Sequence, residues 1–439
     1  MRVFSRSVYE SFTLGIRLVL MIGEQTVGAA HALENGSEPL HFLFYSHDGL
    51  GLGHVRRNLC VASALAEMVP QASILVATSA EEAELFGIPP GVDVLKLPGV
   101  RKIDNGRYAS RRLPMHFDEI RSLRAHLLAA AVESLRPAVV LVDKHPFGVG
   151  GELLPALDAA QKAGAHAVLG LRDVLDDPAA VRTEWDAQGV FERIPDYYDR
   201  VLVYGQTDVL DPRRAYAFPD AVAALTRFCG YVASAERGGV PWEDGTLLRA
   251  SDRPLVLATA GGGEDGFTLL STFIEASAGA SWQGVAVSGP QCPPERAQAL
   301  RTLATATGVA FRRFVAKISH AFPSLDALVS MGGYGTLVEA VASGVPTICV
   351  PRVRPRREQL IRARAFADFG LLRLVESERL DVEVLRGEIE AALAGGRYPA
   401  GWNGSVLNLE GAPRAASYLW ELATEAGSAG RPPRAALAE

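Results

Sequence analysis

The 439-residue chain reads as an α/β protein built from two doubly wound, parallel-sheet, Rossmann-like domains. Three observations predict this. Apolar runs of strand length alternate with helix-period segments along most of the chain. Several of these runs end in glycine-rich turns that open helices. A polar, Gly/Pro-rich stretch without periodicity, 233–252, splits the alternation into two series. The length agrees, because so long a chain exceeds one ordinary core.

In the first series, 40–232, His41–Ser46 is a strand running into Asp48-Gly49-Leu50-Gly51-Leu52-Gly53-His54-Val55-Arg56-Arg57 and then a helical pattern through Leu59, Ala62, Leu65 and Met68. Further strands are expected at Ser73–Ala77, Val92–Leu97, Val139–Val142, Ala167–Leu171 and Arg200–Tyr204. Strand-end polar residues stand where a doubly wound sheet binds ligands: Asp143-Lys144-His145, Arg172-Asp173 and Gly205-Gln206. The segment Pro98–Pro114, with Arg101, Lys102, Tyr108, Arg111 and Arg112, has loop composition. It is either a solvated basic loop or one that meets an acceptor.

The second series, 253–411, begins with a strand at Pro254–Ala258 and the turn Gly261-Gly262-Gly263-Glu264. Strands follow at Gly284–Ser288, Phe311–Val315, Ala327–Val329 and Thr347–Pro351. Val329 leads into Gly332-Gly333-Tyr334-Gly335-Thr336 and a helix ending at Ser343-Gly344. Strand, glycine turn and helix together aim unpaired N–H groups and a positive helix end at an anion. Glu339, one turn into that helix, is placed to accept bonds from ribose hydroxyls. The plain alternative is a tight turn with a solvated glutamate. The run Arg352-Val353-Arg354-Pro355-Arg356-Arg357 is solvated or meets a diphosphate. Asp368-Phe369-Gly370 reads as a helix C-cap. A helix at 412–426 carries Ala416, Leu419, Trp420 and Leu422 and is expected to pack back on the first domain. Residues 1–39 read as a poorly packed extension and 427–439 as a disordered tail.

Composition excludes several classes. A net charge of −6 argues against a nucleic-acid binder. The four cysteines, Cys60, Cys229, Cys292 and Cys349, have no metal-binding spacing and suit a reducing, cytoplasmic setting. No apolar run reaches membrane-spanning length, so membrane contact would be peripheral and tied to a lipid acceptor. There is no D-x-D pair, no G-x-x-x-x-G-K-[ST] and no G-x-S-x-G, and the glycines at 49, 51 and 53 do not form a dinucleotide fingerprint. No metal or nicotinamide is therefore expected. His54 stands at a helix start, where protonation is disfavoured, so it is either a neutral general base or a packing residue.

The order Gly332-Gly333-Tyr334-Gly335-Thr336, Glu339, Gly344-Val345-Pro346, Pro351 and Glu358-Gln359, with the loop ending in His54, resembles GT-B glycosyltransferases. The resemblance is to family 28, which includes the peptidoglycan lipid-intermediate N-acetylglucosaminyltransferase. Leu141-Val142-Asp143-Lys144 and Leu169-Gly170-Leu171-Arg172-Asp173 also resemble a bacterial group of predicted glycosyltransferases of that superfamily. The resemblance implies two domains facing a cleft and an inverting, metal-independent transfer from a nucleotide-diphosphate sugar, a UDP-sugar, to an unidentified acceptor hydroxyl. By similarity, Phe314 and Val315 hold the base, Glu339 the ribose, Gly261–Gly263 and Gly332–Thr336 the diphosphate, and Glu358 and Gln359 the sugar. His54 would be the base, with Gly51, Gly53 and Arg57 in its loop and Tyr108, Asp143, Lys144 and Arg172 on the acceptor side. Where the family commonly has serine in the first glycine turn, this chain has Gly262-Gly263-Glu264, and Glu264 is expected to point away from phosphate. A UDP-sugar hydrolase with a similar histidine loop, an epimerase and a non-enzymatic sugar-nucleotide sensor are the competing readings.

Overall fold

A computed structural model describes residues 40–47, 53–81, 83–104, 107–234, 252–315, 317–398 and 406–426. The extension 1–39, Gly51 with the rest of 48–52, most of the linker (235–251) and the tail from 427 lie outside these residues.

The first domain runs β1 (His41–Tyr45), α1 (Gly53–Met68), β2 (Ser73–Thr78), β3 (Val92–Lys96), β4 (Val100–Asp104), β5 (Arg107–Ser110), β6 (Val139–Asp143), β7 (His166–Arg172), β8 (Arg200–Tyr204) and β9 (Thr226–Phe228), with further helices between. Seven strands form one sheet in the order β3-β2-β1-β6-β7-β8-β9, and each neighbouring pair is parallel, as in Phe42↔Ile74 and Phe42↔Val139. Phe42, Phe44, Val140, Val142, Val201 and Val203 are buried. Helices cover both faces of such a sheet, which is why its strands are continuously apolar.

The second domain runs β10 (Leu255–Thr259), β11 (Gln283–Val287), β12 (Ala310–Arg312), β13 (Ala327–Ser330), α2 (Tyr334–Ser343), β14 (Thr347–Cys349), α3 (Glu358–Asp368) and β15 (Arg373–Leu374). Its strand order is β12-β11-β10-β13-β14-β15, again parallel throughout. The strand order thus reverses at the β1/β6 and β10/β13 boundaries, although the strands stay parallel. Loops leaving the carboxyl ends of those strands splay apart and open a crevice. The expected α/β architecture with two doubly wound sheets is present.

Two local expectations need correction. Residues 98–114 contain an antiparallel hairpin, β4 with β5, rather than a loop. Val100 is buried beside Ile120 and Val149, so one strand face is anchored while Arg101 stays exposed; the charges hid the alternation. The strand expected at Phe311–Val315 ends at Arg312, and Phe314 and Val315 leave the sheet.

The helix α4 (Gly411–Ala426) follows the second domain and lies on α1 of the first. Ala415, Ala416, Leu419 and Ala423 share a core with Val55, Leu59 and Ala62. The same core contains Tyr334, Leu337 and Phe366, so apolar packing is continuous across the junction. The junction also buries a bidentate ion pair, Arg362 Nη2 to Asp173 Oδ1 at 2.7 Å and Nε to Oδ2 at 3.0 Å; its side chains are 0% and 1% exposed. Asp368 ends α3 and Gly370 takes φ 70° just after it, so Asp368-Phe369-Gly370 is a helix stop.

Candidate active site

Both crevices open onto one cleft of about 350 Å³. The first-domain wall is built at the β1/β6 boundary. His54 is the second residue of α1 and is buried, and its Nδ1 bonds Asp143 Oδ2 at the end of β6. Arg57, one turn further along α1, bonds the other carboxylate oxygen through Nε at 3.2 Å and also through Nη2. The Arg57 guanidinium lies 5.2 Å from the Tyr204 ring and 5.4 Å from that of Tyr334 on the opposite domain.

This arrangement determines protonation. Burial by itself would raise the Asp143 carboxyl, but Arg57 and His54 hold it well below the usual carboxylate range. Burial pulls His54 down to about 3, against the attraction of Asp143. An ionised carboxylate only accepts, so Nδ1 carries the proton and Nε2 keeps its lone pair. His54 is therefore a neutral base oriented by a buried acid. His47 and His145, whose rings are 4.0 Å apart, are held neutral chiefly by burial. Lys144 has a left-handed backbone, φ 70°, an uncommon conformation for a residue with a Cβ. Burial and the nearby Arg172 and Arg356 pull its ammonium down to about 7. Arg172 ends β7, and its buried Nε has no partner among the described residues.

The second-domain wall consists of the turns after β10 and β13. Gly263 has φ 98°, and a Cβ there would sit 2.1 Å from the Ser288 carbonyl oxygen, so only glycine makes this turn. Gly333 is the N-cap of α2 and offers no side-chain cap, which leaves the first N–H groups of α2 open to the cleft. Glu358, buried at the start of α3, pairs with Arg352 at 2.9 Å. Gln359 Oε1 accepts the Arg352 N–H at 3.1 Å.

Of the residues singled out in the sequence, Gly261, Gly262, Gly263, Phe314, Val315, Gly333, Tyr334, Gly335, Thr336, Glu358 and Gln359 line the cleft from the second domain. Gly53, His54, Arg57, Tyr108, Lys144 and Arg172 line it from the first. Others are placed differently. Asp143 lies behind His54. Gly332, with φ 81°, packs against Cys349 and Gln359. Glu339 is outside the lining, and its Oε1 takes Arg56 Nη2 at 3.0 Å and the Ser234 N–H at 2.8 Å. Glu264, expected to point away, lines the cleft at its exposed rim; the φ 98° turn at Gly263 carries the chain that way. The arginine run is divided: Arg352 and Arg356 line the cleft, while Arg357 reaches Asp177 at 3.4 Å. Sequence reasoning missed the His54–Asp143 pairing, the Arg56–Glu339 pair and the placement of His47 and His145 on the cleft. The strand-end run Asp143-Lys144-His145 was the only local signal for any of them.

Residues 270–400 match the glycosyltransferase family 28 C-terminal domain. Most of the second domain is thus similar to that family's C-terminal domain. Two curated relatives match over about a quarter of the chain. Both are UDP-N-acetylglucosamine–N-acetylmuramyl-(pentapeptide) pyrophosphoryl-undecaprenol N-acetylglucosamine transferases. The one from Rubrobacter xylanophilus is 33% identical over 114 residues, 26% of this chain and 34% of its own. The one from Shouchella clausii is 26% identical over 107 residues, 24% of this chain and 29% of its own. The chain thus spans about a third of the length of the curated relatives it matches. Likeness to solved structures extends further. The calicheamicin glycosyltransferase CalG4 superposes with a TM-score of 0.57 at 16% identity, over 90% of this chain and all of that one (100%). MurG of Acinetobacter baumannii gives 0.51 at 16%, over 88% and 100%. The two domains together form the GT-B fold. Among the described residues no helix is long and apolar enough to cross a membrane.

Proposed function

We propose that the protein is a glycosyltransferase that moves a sugar from a UDP-sugar to an acceptor hydroxyl. The observation that carries this reading is the His54–Asp143 dyad on one wall of a cleft whose other wall presents the uncapped start of α2. A base oriented by a buried acid suits removal of a hydroxyl proton. Helix-start amides suit a diphosphate leaving group. The two curated relatives are UDP-N-acetylglucosamine transferases by name, which supports a UDP donor. In this reading Gly261–Gly263 and Gly333–Thr336 line the diphosphate, Phe314 and Val315 the base, and Glu358 and Gln359 the sugar. Glu339, outside the lining itself, holds Arg56 on the cleft wall, and the ribose meets that pair.

Attack from the His54 side, opposite the leaving group, inverts the anomeric carbon. Fixed amides and arginines in the cleft support transfer without a metal. The acceptor approaches past Tyr108 and the β4–β5 hairpin, whose Ile103 is 58% exposed; that apolar edge supports an acceptor with an apolar part and peripheral membrane contact. All four cysteines are free, which supports a cytoplasmic setting. Incubating the full chain with a panel of UDP- and dTDP-sugars, with and without candidate acceptors and EDTA, tests the reading. Acceptor-dependent UDP release that survives EDTA is expected; sugar release that needs no acceptor would make it a hydrolase, and UDP binding without turnover a sensor.

A further inference from the structure

The charge around the cleft is unevenly committed. On the second domain, Arg352 is held by Asp265 and Glu358, each at 2.9 Å. Arg356 faces Asp176 at 3.5 Å and Glu184 at 3.7 Å, and Arg362 is spent on Asp173. The α2 turn therefore presents partial charges and amides, while the arginines of its own domain are already on carboxylates. Lys144 and Arg172 of the first domain also line the cleft, and among the described residues neither makes a side-chain hydrogen bond or ion pair. Arg172 Nε and Glu358 Oε2 are both buried without partners. The charges acting on Arg172 are Arg362, Glu358, Arg57 and Asp173. Arg57 and Arg362 flank the Tyr334 ring, each 5.4 Å from its centroid. Arg172 thus faces Glu358 and the two arginines that flank Tyr334, the first residue of α2.

We propose that Lys144 and Arg172 clasp the donor diphosphate from the first domain, so that the leaving group is held by amides of one domain and by cations of the other. This rests on the nucleotide-diphosphate reading above. In the transfer, the acceptor oxygen bonds the anomeric carbon as the bond from that carbon to the β-phosphate oxygen breaks. The electron pair stays on the diphosphate, which gains one negative charge, and the acceptor proton passes to His54 Nε2. Two desolvated cations aimed at that oxygen stabilise the charge where it develops. Burial, with Arg172 and Arg356 beside Lys144 and with Arg362 and Arg57 beside Arg172, holds Lys144 at about 7 and Arg172 at about 10, so an arriving dianion relieves an existing strain.

The test is calorimetric titration of the full chain with UDP, UMP and inorganic pyrophosphate, for wild type, Lys144→Met, Arg172→Met and Lys144→Arg. Wild type should bind UDP more tightly than UMP. Each Met variant should lose about ten- to hundredfold of UDP affinity with little change for UMP, and Lys144→Arg should retain most of it. An unchanged UDP-to-UMP ratio in the Met variants overturns the clasp. So does pyrophosphate binding beside saturating UDP that only the variants lose, because the cations would then serve an anion on the acceptor. Wild type that binds no nucleotide overturns the donor reading itself, a distinct result. Lys144→Met removes a desolvated charge without opening an ion pair, so the test stands even if Arg172→Met fails to fold.

Discussion

Replacing Asp143 with Asn tests the dyad most directly, because it keeps shape and removes charge. The carboxylate now accepts from His54 Nδ1 on one oxygen and from Arg57 on the other. An Asn side chain has one oxygen and one amide. If the oxygen stays with Arg57, the amide donates to His54, Nδ1 becomes the acceptor, and Nε2 carries the proton; the base is lost. If the amide turns, it donates toward the Arg57 guanidinium, and a buried cation is left without a partner. A general base contributes about 10²–10⁴-fold, so kcat for UDP release should fall by that factor with UDP affinity within about threefold of wild type. Breaking a buried ion pair costs about 3–5 kcal/mol, and the neutral oxygen recovers part of it, so the melting temperature should drop by several degrees. His54→Ala should show the same loss of kcat without stranding Arg57. Near-normal turnover of folded Asp143→Asn and His54→Ala proteins would remove the dyad from the chemistry.

Glu339→Ala should weaken UDP binding with the fold intact, measured by titration; unchanged affinity refutes the ribose assignment. Asp173→Ala should destabilise the protein by about 3–5 kcal/mol in denaturant unfolding, because it leaves the Arg362 charge buried without its carboxylate; exchanging both partners for apolar residues should cost less. Acid should destabilise the fold early. His47, His54 and His145 have folded values lowered by burial, so between about pH 6.5 and their folded values the unfolded chain binds more protons. Stability should therefore fall as pH drops through that window, by about 1 kcal/mol per histidine over the first unit below pH 6.5. A melting temperature flat from pH 7 to pH 5 would contradict their neutral burial. Asp143, lowered by Arg57 and His54 against burial, adds its loss only below the ordinary carboxylate range.

Much of this molecule is written in short windows of sequence. Apolar runs such as Phe42-Leu43-Phe44-Tyr45 and Leu255-Val256-Leu257-Ala258 announce buried parallel strands, and the glycines after Thr259 and Met331 announce turns that open helices. These are local properties: a strand needs about five suitable residues and a turn needs a Cβ to be absent. The positions of His54 and the two second-domain glycine turns at the cleft followed from that grammar and from the rule that doubly wound sheets bind at strand ends, whereas Glu358 was placed there by the resemblance to family 28. Residues 98–114 were misread because their charges masked a half-buried alternation that only packing of Val100 against Ile120 and Val149 reveals.

Tertiary structure alone decided which side chains meet. Asp143 and His54 are 89 residues apart, and Asp173 and Arg362 are 189 apart; no window spans either pair. Which carboxylate orients the base, which arginines are already neutralised and which cations face the cleft unpaired are properties of long-range pairing. Chain composition fixes how many charges there are. The fold fixes which of them cancel, because burial makes each contact strong only where the partner has been brought within a few ångströms.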